Sequence, residues 1–339
     1  MFPTPISHSF YLLSLTFDRP FPRSGRNNLN GTLPSELSSM GTLEEVLLGS
    51  NELHGSIPSE LGDLSILEWL QLPLNSLSGS IPDSFRRLKG LKDLFLGYNR
   101  LTGTIPAGVM KLPALTEITL SNNLLTGTVP PFDGQDKLVS VVFRDNMLTG
   151  PIPESIVGLT NLDTLWFDSN QFNETIPAEI GVNLSRLEIL SLANNSLSGT
   201  IPTEIGSLDF LERLLLDDNS LSGTIPTEVG KLIKIGTLSF SKTDLAGTLP
   251  SEIGLLTRLS LLNLLLTSIN GTVPSALSQL TSLGTRFSRD TRIVISFSTM
   301  NTCATDMPYC AYRLSACHRF TLFHLQKNSF LPVLTSLVI

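Results

Sequence analysis

The residue types best suited to chemistry are few and poorly grouped in this sequence. The three cysteines lie within residues 303–317, beside His318, and their six-residue gaps match no usual zinc-ligand spacing. The adjacent carboxylates Asp217 and Asp218 could supply an acid–base pair, yet no pocket around them is evident from the sequence. Phosphate-cradling glycine loops and kinase catalytic motifs are absent from the sequence. We therefore expect no enzyme activity, no kinase domain, no metal site and no cofactor.

Composition and charge exclude further classes of protein. The chain has 339 residues, of which 41% are apolar and 16% charged, with a net charge of −7. An isoelectric point near 5.2 and the lack of a Lys/Arg cluster argue against nucleic-acid binding. No apolar run approaches the roughly 20 residues of a spanning helix, so we expect no membrane span. The apolar run 10–17 lacks a basic residue before it and a small-residue cleavage site after it, so it is not a convincing signal peptide.

Leucine accounts for 64 residues, which calls for a search for internal repeats. An Asn stands four residues before the Gly of each recurring Gly-x-(Ile/Leu/Val)-Pro tetrad, except that Thr243 and Thr267 replace it in the last two copies. The pattern L-x-x-L-x-L-x-x precedes it, and we number repeat positions from its first Leu, which makes the Asn position 9. Eleven copies occur at intervals of 23 to 25 residues, and Glu174 replaces the Gly in one of them. The copies end at Pro34, Pro58, Pro82, Pro106, Pro130, Pro153, Pro177, Pro202, Pro226, Pro250 and Pro274.

This block resembles the plant-type leucine-rich repeat of receptor-like kinases, receptor-like proteins and polygalacturonase inhibitors. The resemblance covers about residues 27–283, three quarters of the chain. It implies an α/β repeat fold, a right-handed solenoid of about eleven 24-residue coils with parallel strands on its concave face. It also implies a non-catalytic, extracellular or cell-surface recognition protein.

The chemistry of a single copy favours the same fold. Leu43, Val46 and Leu48 point one side of a short strand inward, and Asn51 turns the chain with an amide that can bond backbone groups of the neighbouring coil. One copy cannot enclose its own apolar side chains, so copies must stack. With about 1.5–3 kcal/mol for each buried aliphatic side chain, stacking supplies the driving force for folding.

The repeat pattern fails at both ends of the block. Residues 1–26 form an N-terminal extension without a recognisable cap, and residues 284–339 form a non-repeat tail. We expect these segments to be fragment ends or mis-spliced translation attached to an authentic repeat block of residues 27–283. An unusual cap is the alternative.

Five Asn-x-Ser/Thr triplets are candidate N-glycosylation sites. Repeats rich in Asn, Ser and Thr generate such triplets by composition alone. Together with the resemblance, they favour an extracellular or cell-surface location. The triplets begin at Asn30, Asn173, Asn183, Asn194 and Asn270.

The outward strand positions 3, 5, 7 and 8 are where a binding surface would differ from a rigid spacer. Both tryptophans of the chain fall there, and exposed aromatics are typical interface anchors. We expect Trp69, Phe95 and Tyr98 to lie about one strand spacing apart, beside Asp93 and Glu117. The predicted ligand-binding residues are Trp69, Asp93, Phe95, Tyr98, Glu117, Trp166, Asp168, Arg213 and Asp217.

The charges at these positions favour a basic or amphipathic partner. Seven acids, which include Glu45, Asp145 and Asp218, stand against Arg144, Arg213 and Lys242. The sequence thus predicts a protein, peptide or glycan ligand bound on the concave face, with a receptor kinase as a further partner. Two alternatives stay open: a structural or scaffold protein that uses the solenoid as a spacer, and an inhibitor of a secreted hydrolase.

Overall fold

The computed structural model describes residues 27–280, 292–295 and 321–323. The chain divides into two compact units, Met1–Asn173 and Glu174–Ile339. Each unit is a stack of coils, and every coil contributes a main-sheet strand, a lateral strand or extended segment, and a short return segment that is a helical turn in most coils.

In the first unit, the main-sheet strands pair in parallel with their neighbours in chain order. They are Glu45–Leu47, Trp69–Gln71, Asp93–Phe95, Glu117–Thr119, Ser140–Val142 and Thr164–Trp166. A lateral parallel sheet contains Asn30–Thr32, Glu52–Ser56, Ser76–Ser80, Arg100–Gly103, Leu124–Thr128, Met147–Gly150 and Gln171–Phe172. The helical turns are of the 3-10 type and span Ser35–Ser39, Ser59–Asp63, Asp83–Arg87, Val109–Lys111 and Glu154–Gly158.

In the second unit, the main sheet contains Ile189–Ser191, Arg213–Leu215, Thr237–Ser239 and Leu261–Leu264, again in parallel. Strand Arg292–Ile295 pairs in parallel with Leu261–Leu264. Strand Thr321–Phe323 pairs antiparallel with Arg292–Ile295. The lateral pairs are Ser198–Thr200 with Ser220–Ser222, and Ala246–Thr248 with Ser268–Asn270. An α-helical turn spans Glu179–Asn183, and 3-10 turns span Thr203–Ser207, Thr227–Lys231, Ser251–Leu255 and Ser275–Gln279.

The core is formed by the periodic aliphatic positions, as the repeat predicts. In the coil that begins at Leu91, the side chains of Leu94, Leu96 and Leu101 are fully buried. Phe143 and Phe167 replace the usual Leu of position 6 in adjacent coils, and their rings stack with centroids 5.4 Å apart. Aromatic side chains therefore fit the same interior position when they occur in neighbouring coils.

The position-9 asparagines join successive coils, which confirms the role expected of the amide. The Oδ1 atom of Asn123 accepts from the Leu101 N–H at 2.9 Å, and its Nδ2 donates to the Leu96 carbonyl at 3.0 Å. Thr243 and Thr267 instead donate to a carbonyl of their own coil, at 2.7 and 3.0 Å. The last two described coils of the second unit thus lack the intercoil amide bond.

The residue at position 8, which precedes the turn Asn or Thr, has a left-handed backbone in each of the ten coils whose main-sheet strands lie within residues 45–264. Position 8 has φ values of 52–57° although none of its residues is glycine. Tyr98 and Leu266 are examples with large side chains, for which this conformation costs roughly 1–2 kcal/mol. This conformation is not evident from the sequence, because position 8 shows no glycine preference.

Candidate functional site

The main sheet has one side packed on the leucine core and one side turned away from it, which we call the open face. Positions 4 and 6 point inward, and positions 3, 5, 7 and 8 contribute to the open face because strand side chains alternate. In the strand Asp93–Phe95, Leu94 is fully buried in the core, whereas Asp93 is only half-buried. The predicted ligand-binding residues therefore belong to this surface.

Three of these residues form one row across adjacent strands of the first unit. Trp69 lies opposite Asp93, and Asp93 lies opposite Glu117 in the parallel register. The expected placement of the two carboxylates on successive coils is confirmed. Trp69 and Phe95 are not opposite each other, because Phe95 pairs with Gln71 and lies two residues further along the strand.

Phe95 requires a correction. It was expected to be an exposed anchor, but only 6% of its surface is exposed. It lies between the strands that carry Gln71 and Thr119, and Thr119 is itself 5% exposed. Phe95 is therefore buried rather than an exposed anchor. Tyr98, three residues after the end of the same strand, is 39% exposed.

The carboxylates of this face are partly desolvated. Burial raises the pKa of Glu117, and the negative charges of Asp93 and Asp163 raise it further. Burial also raises the pKa of Asp93, although a hydrogen bond from the Thr116 hydroxyl and the charge of Lys92 oppose this effect. The pKa of Asp163 is raised by its own burial. A positive group placed among these carboxylates would relieve both the repulsion and the lost hydration.

Trp69 belongs to a cluster that the outward repeat positions alone do not predict, which we call indole cluster 1 (Glu68, Trp69, Lys92 and Asp93). The Lys92 ammonium lies 4.9 Å from the centre of the Trp69 ring and 2.5 Å from a Glu68 carboxylate oxygen. Lys92 and Glu68 occupy position 2, which is not one of the outward positions 3, 5, 7 and 8. Their opposite charges, one 24-residue repeat apart, are the sequence feature that could have predicted this ion pair.

Trp166 belongs to a second such group, indole cluster 2 (Arg144, Asp145, Trp166 and Asp168). The Arg144 guanidinium carbon lies 5.1 Å from the centre of the Trp166 ring, and its Nε donates to Asp145 at 2.9 Å. The Trp166 indole N–H donates to Asp168 at 2.5 Å. In both clusters, a cation of the chain itself already covers an indole and pairs with a carboxylate.

Arg213 and Asp217 lie on the open face of the second unit. Arg213 is exposed, opposite Ile189 and Thr237. One Asp217 carboxylate oxygen accepts bonds from both the N–H and the hydroxyl of Ser241, at 2.9 and 2.5 Å. The same oxygen also accepts from Ser239 and from the Asn263 amide. Asp217 thus joins three coils of this unit in addition to facing outward.

The candidate glycosylation sites are all on the surface. Asn30 and Asn270 lie in lateral strands and Asn183 ends a helical turn. Asn173 and Asn194 are also exposed. Exposure is necessary for modification, and modification itself stays a prediction.

The described residues contain no group of three or more His, Cys, Asp or Glu side chains arranged to hold a metal ion. The three cysteines and His318 lie outside the described residues. Within the described part of the chain, no helix has the length and apolar character of a membrane span.

Comparison with known proteins supports the repeat assignment. A family model described as a leucine rich repeat matches residues 67–125, and a second such model matches 186–208 and 210–232. A leucine-rich repeat protein of Leptospira interrogans is 32% identical over 74% of this chain and 67% of that chain, with a TM-score of 0.55. The chain belongs to the leucine-rich repeat family. Its repeats are of the plant type, since the structural relatives include ectodomains of plant receptor kinases.

Two of these plant relatives are similar to the leucine-rich repeat block at the same level. A TDR receptor is 33% identical over 76% of this chain and 44% of that chain, with a TM-score of 0.72. The Arabidopsis receptor kinase HAESA, solved with the peptide hormone IDA and the co-receptor SERK1, is 33% identical over 76% of this chain and 47% of that chain, with a TM-score of 0.65. The chain thus spans less than half the length of either receptor. No curated protein sequence matches it.

Proposed function

We propose that this leucine-rich repeat protein is a non-catalytic recognition module that binds a basic peptide or a basic segment of a protein on the open face of its first unit. The observation that carries the proposal is the row of half-buried carboxylates, Asp93 and Glu117 with Asp163 nearby, on the same surface as two tryptophans. These side chains point away from the core, so packing does not account for them. The HAESA structure, which contains a peptide hormone, supports a peptide as the ligand class.

The proposal is tested with three pools of synthetic 14-residue peptides, one basic, one neutral and one acidic, using tryptophan fluorescence and calorimetry. We expect the basic pool to bind. The double variant Asp93→Asn/Glu117→Gln should weaken that binding at least tenfold. The matched control is Asp133→Asn/Glu154→Gln, which removes the same charge from the return segments between main-sheet strands. Equal binding by all pools, or equal loss in both double variants, would contradict the proposal.

We also infer an extracellular or cell-surface location and a receptor kinase partner. Five exposed Asn-x-Ser/Thr triplets support the location, and the HAESA complex with its co-receptor supports the partner. An antibody against residues 27–280 should label intact, unpermeabilised cells. Labelling only after permeabilisation would exclude the surface location and with it the kinase ectodomain partner.

A further inference from the structure

The two indole clusters have the same chemistry although different repeat positions build them. In indole cluster 1, the ammonium of Lys92 lies over an indole, pairs with Glu68 and stands beside Asp93. An ammonium ion over an aromatic ring and next to carboxylates is a favourable arrangement for binding a cation. The position of Lys92 therefore shows that the space over the Trp69 ring accommodates a positive group.

Indole cluster 2 repeats the arrangement, and its tryptophan lies four coils beyond Trp69. Arg144 lies over Trp166 and pairs with Asp145, while Asp168 accepts a bond from the indole N–H. That bond fixes the orientation of the ring and leaves Asp168 beside it. Each cluster thus combines one indole, two carboxylates and one resident cation from adjacent coils.

The resident cations are held weakly enough to be displaced. The side chains of Lys92 and Glu68 are 43% and 31% exposed, and those of Arg144 and Asp145 are 37% and 34% exposed. Ion pairs with this exposure contribute little to stability because water screens them. A ligand cation can take the place over the indole while the resident side chain turns into solvent.

We propose that indole clusters 1 and 2 are two cation-binding subsites, occupied in the free protein by Lys92 and Arg144, for two basic side chains of one extended ligand segment. This inference rests on the proposed function and specifies its ligand. Each resident cation competes with the ligand for the place over its indole. A ligand with a single basic residue therefore binds more weakly than one with two.

The distance between the subsites defines the spacing of the two basic residues. The strands that carry Trp69 and Trp166 are four strand spacings of about 4.8 Å apart, and the two residues differ by two positions along the strands, or ~20 Å in all. An extended peptide advances about 3.3 Å per residue, and residues an even number apart point to the same side. Lys or Arg at positions i and i+6, which are ~20 Å apart, therefore fits best.

The experiment uses 14-residue peptides of identical composition that carry two arginines at i and i+2, i+6 or i+10. We expect the i+6 peptide to bind at least about fivefold more tightly than the others. Because the chain has two tryptophans, Trp69→Phe and Trp166→Phe each leave one reporter. Both single-tryptophan proteins should change fluorescence with the i+6 peptide. A change at only one tryptophan, or affinities within twofold across the series, would overturn the proposal.

Removal of a resident cation tests the competition directly. Lys92→Met should tighten binding of the i+6 peptide severalfold, up to about tenfold. The control Lys111→Met makes the same change in net charge, but Lys111 pairs with Asp133 on the return segments. Equal effects of the two substitutions would refute internal competition. If the basic pool binds without any preference for spacing, this inference fails and the proposed function stands; if no pool binds, the proposed function itself fails.

Discussion

Replacing Asn123 by Thr should lower the free energy of unfolding by about 2–4 kcal/mol. The Asn123 amide is 6% exposed and joins two coils, accepting from the Leu101 N–H and donating to the Leu96 carbonyl. A threonine in this place, such as Thr243, donates only to a carbonyl of its own coil. The substitution therefore removes both intercoil bonds and keeps a polar side chain.

The magnitude follows from these two bonds. A typical intramolecular hydrogen bond contributes about 1 kcal/mol net, and a buried group left without a partner costs about 1–3 kcal/mol. Leu101 is fully buried, so its N–H has no access to water after the change. One bond lost at about 1 kcal/mol and one buried donor left unsatisfied give the expected range.

Urea unfolding followed by circular dichroism measures the stability, and hydrogen exchange at the Leu101 amide measures the local effect. The reciprocal substitution Thr243→Asn is the matched control and should stabilise the protein by about 1 kcal/mol for each intercoil bond that the new amide forms. If Asn123→Thr leaves both the urea midpoint and the Leu101 exchange rate unchanged, the asparagine bonds make no net contribution and the reasoning is wrong.

Four further outcomes are expected. Gly206→Ala should destabilise by about 1–3 kcal/mol, because a Cβ there would lie 2.4 Å from a backbone oxygen of the next coil, whereas Gly158→Ala, with nothing within 4 Å, should change the urea midpoint little. Phe95→Ala should cost about 3 kcal/mol in the same assay, against less than about 1 kcal/mol if the ring were an exposed anchor. Glu117→Gln should raise the free energy of unfolding at pH 7. The pKa of Glu117 is raised in the folded protein, so the ionised carboxylate destabilises the fold and the neutral amide does not. The gain should disappear below about pH 4.5, where Glu117 is protonated in both the folded and the unfolded protein. Hydrogen exchange should be faster in 235–280 than in 91–170, and equal protection would show that threonine replaces the turn asparagine without loss.

Much of the fold follows from the sequence because the repeat leaves few alternatives. A 24-residue period with inward leucines and a turn asparagine specifies which side chains are buried and which amide joins the coils. Leu94 and Asn123 behave as their repeat positions predict. The neighbours of each residue along the stack are also predictable, since a parallel register places equivalent positions side by side. The pairing of Asp93 with Glu117 follows directly from this rule.

The candidate site was less predictable because it depends on side-chain reach between coils. The burial of Phe95 is determined by the size and conformation of open-face side chains on neighbouring strands, which the period does not specify. The Lys92 contact with Trp69 requires a long flexible side chain to cross from one coil to the next. The left-handed backbone at Tyr98 could not be predicted, because repeat position 8 holds many different residue types. The repeat position of a residue therefore predicts the face on which its side chain lies, but not the side chains that it contacts there.

The asparagine bonds constrain how such a chain can change length in evolution. Each amide reaches only its own coil and the preceding one, so deletion or duplication of a complete coil leaves every remaining bond with a partner. A partial insertion in the main-sheet strand would shift the asparagine away from its acceptor. The interval from Pro130 to Pro153 is 23 residues instead of 24, and this coil differs on the return side, where residues 131–137 form an irregular segment in place of a helical turn. Genes for proteins of this kind are therefore expected to grow and shrink by whole repeats, with smaller length differences confined to the return segments.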